Sequence, residues 1–288
     1  MSEILPFIKM HGIGNDFVLI GPEHASRSLD WPALARSTGD RHFGIGHDGL
    51  LLVEALPSGN TASYRMRMYN PDGSESEMCG NGIRCFAKYL YDSGLAAQKQ
   101  LAIATGAGVQ YVDLHTRGDI VDSVTVNMGE PIFEPERVPV DLPGPRVVNV
   151  PFSAGGHTFS MSCVSMGNPH AVAVVDDVDG ILLETIGPLV EHHVWFPRRV
   201  NFEIVQIHSR NELTMRVWER GAGLTLACGS GACAVMAVVH SQDLVGDCVT
   251  IHLPGGDLLL NWTGAGGIKM TGPATTVYRG SWPLNNQD

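Results

Sequence analysis

The sequence Cys79-Gly80-Asn81-Gly82 recurs as Cys228-Gly229-Ser230-Gly231, so a cysteine followed by a Gly-x-Gly turn occurs twice in the chain. Each copy leads into four apolar residues at helical spacing. All of them keep the offset between the two cysteines: Ile83, Phe86, Ala87 and Leu90, and then Ala232, Val235, Met236 and Val239. Chance rarely produces this agreement, so we predict two copies of one unit, each with a thiol at the start of a helix.

A thiol at a helix start has a particular chemistry. The free N–H groups of the first turn and the positive end of the helix dipole favour an anion, and thiolate is the reactive form of cysteine. Cys79 and Cys228 are therefore candidates for catalysis. The other four cysteines lie in apolar runs without a flanking Gly-x-Gly, and we predict that they are small buried structural residues: Cys85, Cys163, Cys233 and Cys248.

The composition excludes several classes of protein. A chain of 288 residues with 44% hydrophobic residues is typical of a soluble protein of one large or two ordinary domains, and the duplication favours two. No apolar run is long enough to span a bilayer, and the first residues lack a basic region followed by an apolar core, so we do not expect secretion. The formal net charge of −11 argues against nucleic acid or an anionic membrane as a partner.

The cysteine content points to a compartment. Six cysteines in 288 residues are too few for a disulfide scaffold, so we expect a reducing cytoplasm. Since no two cysteines have C-x-x-C spacing, the sequence gives no reason to expect a structural metal.

Two further motifs repeat in the same order as the cysteines. A Gly-Asn pair begins each copy at Gly14 and Gly167, and a Met-Gly-Pro pattern closes each copy near residues 128–131 and 270–273. Six prolines between residues 131 and 151 are typical of a linker. We therefore expect an N-terminal half of residues 1–133, joined by the tail 275–288, and a C-terminal half of residues 134–274. Short strands with one long helix in each half predict an α+β fold.

Polar residues precede each cysteine. Asn70 and Asp72 are typical turn formers. Glu219 and Arg220 follow a strand-like alternation and are followed by three small residues, which is typical of a strand that ends at the mouth of a site. A guanidinium group is the preferred bidentate partner of a carboxylate.

Two thiols on repeated helices predict a specific reaction. A thiolate and a thiol on opposite faces of one carbon can remove a proton and deliver another, which inverts a stereocentre. Nucleophilic cysteine catalysis needs only one thiol and a base. His170 could be that base, but the repeat places no histidine beside either cysteine. The residues by themselves therefore predict a two-thiol site for proton transfer.

Taken together, the motifs resemble those of the diaminopimelate epimerase family over residues 7 to about 280. The matching segments are residues 10–17, 70–74, 78–85, 166–170, 218–223 and 227–231. The resemblance implies a cofactor-independent, metal-free epimerase that interconverts LL- and meso-diaminopimelate in lysine and peptidoglycan precursor synthesis. It also implies two similar domains, each a strand barrel around a central helix, with the active site in the cleft between them, and a homodimer.

The resemblance also implies roles for individual residues. Cys79 and Cys228 act as acid and base, with His170 and Glu219 beside the reacting centre. Backbone amides at the two helix starts hold the α-carboxylate of the substrate: Gly80, Asn81, Gly229 and Ser230. The distal amino-acid group is bound by Asn15, Asn70, Asn168, Asn201 and Arg220, with Glu219 also contacting the substrate.

Two positions depart from the family pattern. Gly49 stands where some members have a glutamine, so one substrate hydrogen bond is expected to be missing or supplied elsewhere. Ser230 stands where threonine is frequent, which keeps the hydroxyl group.

Alternatives to this assignment share the same fold. They are a racemase of proline, hydroxyproline or histidine, an isomerase of the phenazine-pathway type, and a binding protein without catalysis. Asn81, in place of the histidine usual in proline-type relatives, and the cysteine pair favour the diaminopimelate family. Both cysteines together with Glu219 and His170 argue against a binding protein.

Overall fold

The computed structural model describes residues 3–284. Residues 1–2 and 285–288, which include the end of the predicted tail, lie outside the described residues. The chain forms two compact units, one containing the residues up to Val126 together with those from Gly272 onward, and the other containing Asn127–Thr271. None of the helices in residues 3–284 has the length and apolar character needed to cross a membrane.

The first unit alternates short strands with helices. Its elements in chain order are β1 (Ile4–Gly12), β2 (Asn15–Ile20), α1 (Pro22–Ala25), α2 (Trp31–Gly39), β3 (Gly49–Ala55), β4 (Tyr64–Tyr69), β5 (Glu75–Ser76), α3 (Gly80–Asp92), β6 (Gln100–Thr105), β7 (Gly108–Arg117) and β8 (Ile120–Asn127).

The second unit has a parallel series of elements. They are β9 (Val150–Ala154), β10 (His157–Ser165), β11 (Pro169–Val174), α4 (Leu183–Glu191), β12 (Asn201–Ser209), β13 (Glu212–Glu219), β14 (Gly223–Thr225), α5 (Gly229–Ser241), β15 (Cys248–Leu253), β16 (Gly256–Asn261) and β17 (Lys269–Pro273). The last strand, β18 (Thr275–Pro283), pairs with β1 and so belongs to the sheet of the first unit.

The strand pairing is the same in the two units. In the first unit the order β18-β1-β2-β3-β4-β6-β7-β8 has parallel pairs at β2–β3 and β4–β6 and antiparallel pairs elsewhere. In the second unit the order β9-β10-β11-β12-β13-β15-β16-β17 has parallel pairs at β11–β12 and β13–β15. Two similar units of α+β architecture, as the repeat predicts, are therefore confirmed.

One long helix packs against the sheet of each unit. Helix α3 contacts strands from β1 to β7, and helix α5 contacts strands from β10 to β16. Because one helix touches strands from well-separated places in the strand order, the sheet must curve around it. All of the repeated apolar residues on the two helices are buried, as their spacing predicts. A helix that is apolar on nearly every side, like α5, requires such an enclosed position.

The outer faces of the sheets are covered by shorter elements. In the first unit α2 packs Trp31 and Leu34 against Leu50 and Leu52 of β3. Successive strand residues point to opposite faces, so Leu51 is directed to the α3 side. The sequence also predicts helices at residues 31–37 and 181–190, and these are observed as α2 and α4 within two residues at each end.

The proline-rich segment is packed on the second unit. Val138, Val140 and Val147 are buried in its core together with residues of α4. Ile132 forms a β-bridge with Ser165. Each such buried aliphatic side chain stabilises the folded state by about 1.5–3 kcal/mol relative to exposure, so these residues are a structural part of the unit.

Candidate active site

Both cysteines of the repeat cap a helix. Cys79 precedes α3 and Cys228 precedes α5, with extended backbones of φ −140°, ψ 119° and φ −130°, ψ 111°. Each Sγ accepts a hydrogen bond from the amide three residues later, Gly82 N and Gly231 N, at 3.4 Å in both cases. Sulfur takes the position of the oxygen that usually caps a helix. The predicted location of both thiols at helix starts is confirmed.

In the first unit the structure brings three predicted residues together, which we call the first half-site: Cys79, Asn15 and Asn81. The Nδ2 of Asn81 donates to the Oδ1 of Asn15 at 3.1 Å, and the Sγ of Cys79 lies 3.9 Å from the same oxygen. Gly80, the first residue of α3, lies between Cys79 and Asn81 in the chain. The Nδ2 of Asn15 donates to Oδ2 of Asp48 at 2.7 Å, which fixes the direction of its amide.

An ionic network supports the first half-site. Arg41 contacts Asp16 at 2.8 Å and Asp48 at 2.6 Å, and Lys9 contacts Asp16 at 2.5 Å. Burial acts to raise the pKa of Asp16, but hydrogen bonds from Arg41 and Lys9 outweigh it and lower this pKa to about 2. Burial lowers the pKa of the neighbouring His47 to about 4. The Asp16 carboxylate behind Asn15 is therefore held charged.

In the second unit the structure brings four predicted residues together, which we call the second half-site: Cys228, Ser230, Asn168 and His170. The Oγ of Ser230 lies 3.6 Å from the Sγ of Cys228. The Nδ2 of Asn168 donates to Ser230 Oγ at 3.3 Å, and Asn168 Oδ1 lies 3.0 Å from His170 Nε2. These contacts form one chain from the imidazole to the thiol. Gly229 lies beside the thiol in the first turn of α5.

A buried acid completes this chain. The Oε1 of Glu203 lies 2.7 Å from Nδ1 of His170, and both side chains are fully buried, with 0% exposure. Burial raises the pKa of Glu203, and the imidazole of His170 opposes the rise. Glu203 and Asp48 are functional-site residues that the repeated motifs do not predict. The available signal was an acid in the otherwise apolar run at residues 202–205, and an acid directly before a buried strand.

Strand β13 ends at Glu219, and the next residue, Arg220, contacts Asn201 at the start of β12. Thr225 Oγ1 donates to Glu219 Oε1 at 2.5 Å. The backbone N–H of Arg220 donates to Asn201 Oδ1 at 2.9 Å, and its guanidinium donates to a backbone carbonyl at residue 198. Asn201 in turn donates to the carbonyl of Pro169 at 3.0 Å, which ties this turn to the start of β11.

The protonation of Cys228 differs from the helix-start expectation. Burial raises the pKa of this thiol well above its ordinary value, and the carboxyl group of Glu219 adds to the rise. The hydrogen bond from Ser230 lowers it. The helix dipole is outweighed because the sulfur is almost completely removed from water, so Cys228 is a thiol in this conformation.

The remaining cysteines separate into two groups. Cys85 and Cys163 are buried, and burial raises the pKa of each to about 12, so both are inert as predicted. Cys233 is also buried. The prediction for Cys248 is wrong, because Cys248 begins β15 on the exposed face and its neighbour Val249 takes the inward position.

Asn70 lies in a turn of its own. Its Nδ2 donates to Ser74 Oγ at 2.9 Å, and Asp72 Oδ1 accepts the Ser74 amide at 2.8 Å. This is the turn that the sequence predicts. The Asn70 side chain is thus bonded within this turn.

The space beside Gly49 is filled by its neighbours. A Cβ built at this position would lie 2.6 Å from Cε of Met68 and 3.1 Å from the ring of Phe17. The space that a side chain at residue 49 would enter is therefore partly taken by a methionine of β4.

The whole chain shares its fold with a solved epimerase. A hydroxyproline epimerase from Agrobacterium vitis, with bound trans-4-OH-L-proline, matches with a TM-score of 0.70 over 100% of this chain and 95% of that chain, at 14% sequence identity. At this identity the likeness shows the fold alone. The fold and the pair of helix-capping thiols thus define the class as a duplicated α+β protein with a thiol at the start of the long helix of each unit.

Sequence comparison identifies the family. The diaminopimelate epimerase family model matches residues 7–134 and 162–277. The diaminopimelate epimerase of Moorella thermoacetica is 50% identical over 280 residues, which is 97% of this chain and 99% of that protein. That of Desulfitobacterium hafniense is 49% identical over 278 residues, covering 96% and 97%. This chain belongs to the diaminopimelate epimerase family.

Proposed function

We propose that the chain interconverts LL- and meso-2,6-diaminopimelate by moving a proton at one α-carbon, with Cys79 and Cys228 as the two bases. The observation that carries this proposal is the pair of thiols, each capping a repeated helix with the same geometry, in a member of this family. Two interchangeable acid/base groups are what inversion of a stereocentre requires.

In one direction the thiolate of Cys79 removes the α-proton, and the thiol of Cys228 delivers its proton to the opposite face of the carbanion. In the other direction the roles reverse, so each turnover leaves the thiolate on the other cysteine. The raised pKa of Cys228 supports its role as the acid in the first direction. The mechanism requires both thiols to reach one α-carbon.

The carbanion needs electrostatic stabilisation, because an amino-acid α-proton is only weakly acidic. We assign the α-carboxylate to the first-turn amides of Gly80, Asn81, Gly229 and Ser230, since helix starts present N–H groups to an anion. Preorganised donors of this kind stabilise developing charge without reorganising during the reaction. His170 and Glu219 are proposed to flank the reacting centre, and the location of Glu219 beside the Cys228 thiol supports this.

The distal amino-acid group of the substrate is proposed to contact Asn15, Asn70, Asn168, Asn201 and Arg220. Asn15 and Asn168 are oriented by hydrogen bonds next to the two thiols, and Asn201 is fixed to the Arg220 turn. Such oriented amides can discriminate the chirality at the distal centre, because a donor and an acceptor cannot be exchanged without losing both bonds.

Further properties are proposed on the same basis. The two compact units are the two epimerase halves, and the enzyme works in the cytoplasm without a cofactor, as a homodimer, in lysine biosynthesis. Dialysis against EDTA should leave the activity unchanged. Light scattering during size-exclusion chromatography should give about twice the 31.0 kDa mass of the chain.

The test is proton NMR of LL-diaminopimelate in deuterated water with the reduced protein. We expect loss of an α-proton signal together with conversion to the meso form. Cys79→Ala and Cys228→Ala should each slow conversion by about 10²–10⁴-fold. Cys248→Ala, which removes an exposed thiol outside both half-sites, is the matched control. Conversion at an unchanged rate in either half-site variant, or none with the intact chain, would contradict the proposal.

A further inference from the structure

The two copies of the repeat differ in the side chains that pack beneath the starts of α3 and α5. Strand register pairs Phe17 with Gly49 and Leu19 with Leu51 in the first unit, and His170 with Asn201 and Val172 with Glu203 in the second. His170 therefore corresponds to Phe17, and Glu203 to Leu51. The glycines above them agree, since a Cβ at Gly82 would meet Leu51 and Phe17, whereas a Cβ at Gly231 would meet Glu203. An apolar pair in one unit is a polar pair in the other.

The hydrogen bonds fix where the protons of the polar pair lie. Asn168 donates to Ser230 through Nδ2, so its Oδ1 is the acceptor that faces His170. Nε2 of His170 must therefore carry a hydrogen. Nδ1 and Glu203 Oε1 then share one further proton across 2.7 Å, and the pair is neutral overall wherever that proton lies.

The proton lies on Glu203. Among the described residues Oε2 of Glu203 has no hydrogen-bond partner, although it is buried. An unpaired oxygen costs much less to bury in a neutral carboxylic acid than in a carboxylate. Four titratable groups influence or are influenced by this carboxyl group: Cys163 of β10, His170 of β11, Glu219 at the end of β13, and Cys228 before α5. The negative charge of Glu219 also favours the protonated form of Glu203.

We propose that Glu203 is a positioning residue: its proton holds His170 as a donor at Nε2 and thereby sets the direction of the hydrogen-bond chain that runs through Asn168 to Ser230. Ser230 Oγ accepts from Asn168, so its own hydrogen is left to point at Cys228 Sγ, 3.6 Å away. A donor on the sulfur stabilises the thiolate, which opposes the effect of burial. This rests on the proposed function, in which Cys228 must become a thiolate in one direction.

The first test observes the proton directly. In protein labelled with ¹⁵N-histidine, the resonances of His170 are assigned among the 12 histidines by their loss in His170→Phe. We expect Nε2 to carry the hydrogen and Nδ1 to show the shift of an acceptor nitrogen at neutral pH. An unprotonated Nε2 would overturn the proposal. This readout needs no substrate.

The second test measures what the chain does to Cys228. The rate of alkylation by iodoacetamide is followed against pH for each cysteine by peptide mass spectrometry, with Cys79 in the same samples as the internal control. Glu203→Leu should raise the pH midpoint of Cys228 by about one unit or more and leave that of Cys79 in place. Glu203→Gln, whose amide can donate to Nδ1, should keep the midpoint of Cys228 alkylation close to that of the intact chain.

A double variant tests the proposal even if Glu203→Leu alone fails to fold. His170→Phe with Glu203→Leu copies the apolar pair of the first unit and removes both buried partners together, so that only the partly exposed Asn168 Oδ1 loses its donor. Such a paired replacement is nearly neutral for stability. The double variant should raise the pH midpoint of Cys228 alkylation by about as much as Glu203→Leu does. Equal shifts at both cysteines, or no shift at Cys228, would overturn the proposal. Because neither test uses diaminopimelate, they stand even if the chain fails to epimerise it.

Discussion

Phe17 and Leu51 lie beneath the start of helix α3, whereas Glu203, with His170 bonded to it, lies beneath the start of helix α5. The backbones above them are the same, since each cysteine is extended, caps its helix and accepts a bond from a glycine amide at 3.4 Å. The first half-site takes its polar support from the side instead, where Asp48 orients Asn15. The duplicated backbone thus fixes where the thiols are, and the residues packed around it set their chemistry.

The groups that pack around the two half-sites also differ in charge. Around Asn15 the groups form ion pairs that reach the surface, as the contacts of Arg41 with Asp16 and Asp48 show. Beneath α5 the pair of His170 and Glu203 is fully buried. A charged, partly hydrated network and a neutral, dry pair respond differently to pH, so pH can separate the two half-sites.

The largest expected effect is the acid sensitivity of the first unit through His47. Its folded pKa of about 4 lies below the unfolded value of about 6.5. The unfolded chain therefore binds the proton first, and stability is lost as the pH falls from 6.5 towards 4, by up to about 3 kcal/mol. His47→Gln should flatten this part of the profile in urea unfolding measured between pH 7.5 and 4.5.

His42→Gln is the control for His47, because His42 lies five residues away and is exposed. It should leave the pH profile unchanged. A profile in which the two variants are equally flat would show that the buried imidazole of His47 does not account for the acid sensitivity.

The next effect compares the two helix glycines. A Cβ at Gly231 would lie 2.8 Å from Glu203 Oε1 and 3.3 Å from the Cys228 sulfur, whereas the nearest atoms to one at Gly82 lie at 3.4 Å. Gly231→Ala should therefore lower the free energy of unfolding by about 1–3 kcal/mol. Gly82→Ala should change it by less than about 1 kcal/mol, because alanine also favours the helix. Equal losses in the two variants, measured by urea unfolding, would contradict the comparison.

The smallest effect concerns Gly49. A glutamine there must displace the methyl end of Met68, which is flexible, so Gly49→Gln should cost only about 1 kcal/mol of stability. Adding Met68→Ala should not restore full stability, because it leaves a cavity, but it should make room for the glutamine side chain. If Gly49→Gln alone stabilises the protein in thermal unfolding, Met68 does not fill that space in solution.

The sequence predicts features that depend on neighbouring residues along the chain. The helices that follow Cys79 and Cys228 could be located because periodicity and the Gly-x-Gly turn are local, and the repeat supplied their equivalence. The exposed face of Cys248 was missed because a shift of one residue in a strand reverses which side chains are buried.

Links between distant segments could not be predicted in this way. Asp48 meets Asn15 across 33 residues, as Glu203 meets His170. The pKa of Cys228 was likewise not predictable, because it depends on burial by the whole unit and not on the helix start alone.

The most direct measurement of the central claim is α-proton exchange by the single-thiol variants. In deuterated water the remaining thiol can remove the α-proton of the epimer whose proton faces it, and return a deuteron to the same face. We predict that Cys79→Ala exchanges only one of LL- and meso-diaminopimelate at the epimerised centre, and that Cys228→Ala exchanges only the other. Exchange of the same stereoisomer by both variants would contradict the assignment of one thiol to each face.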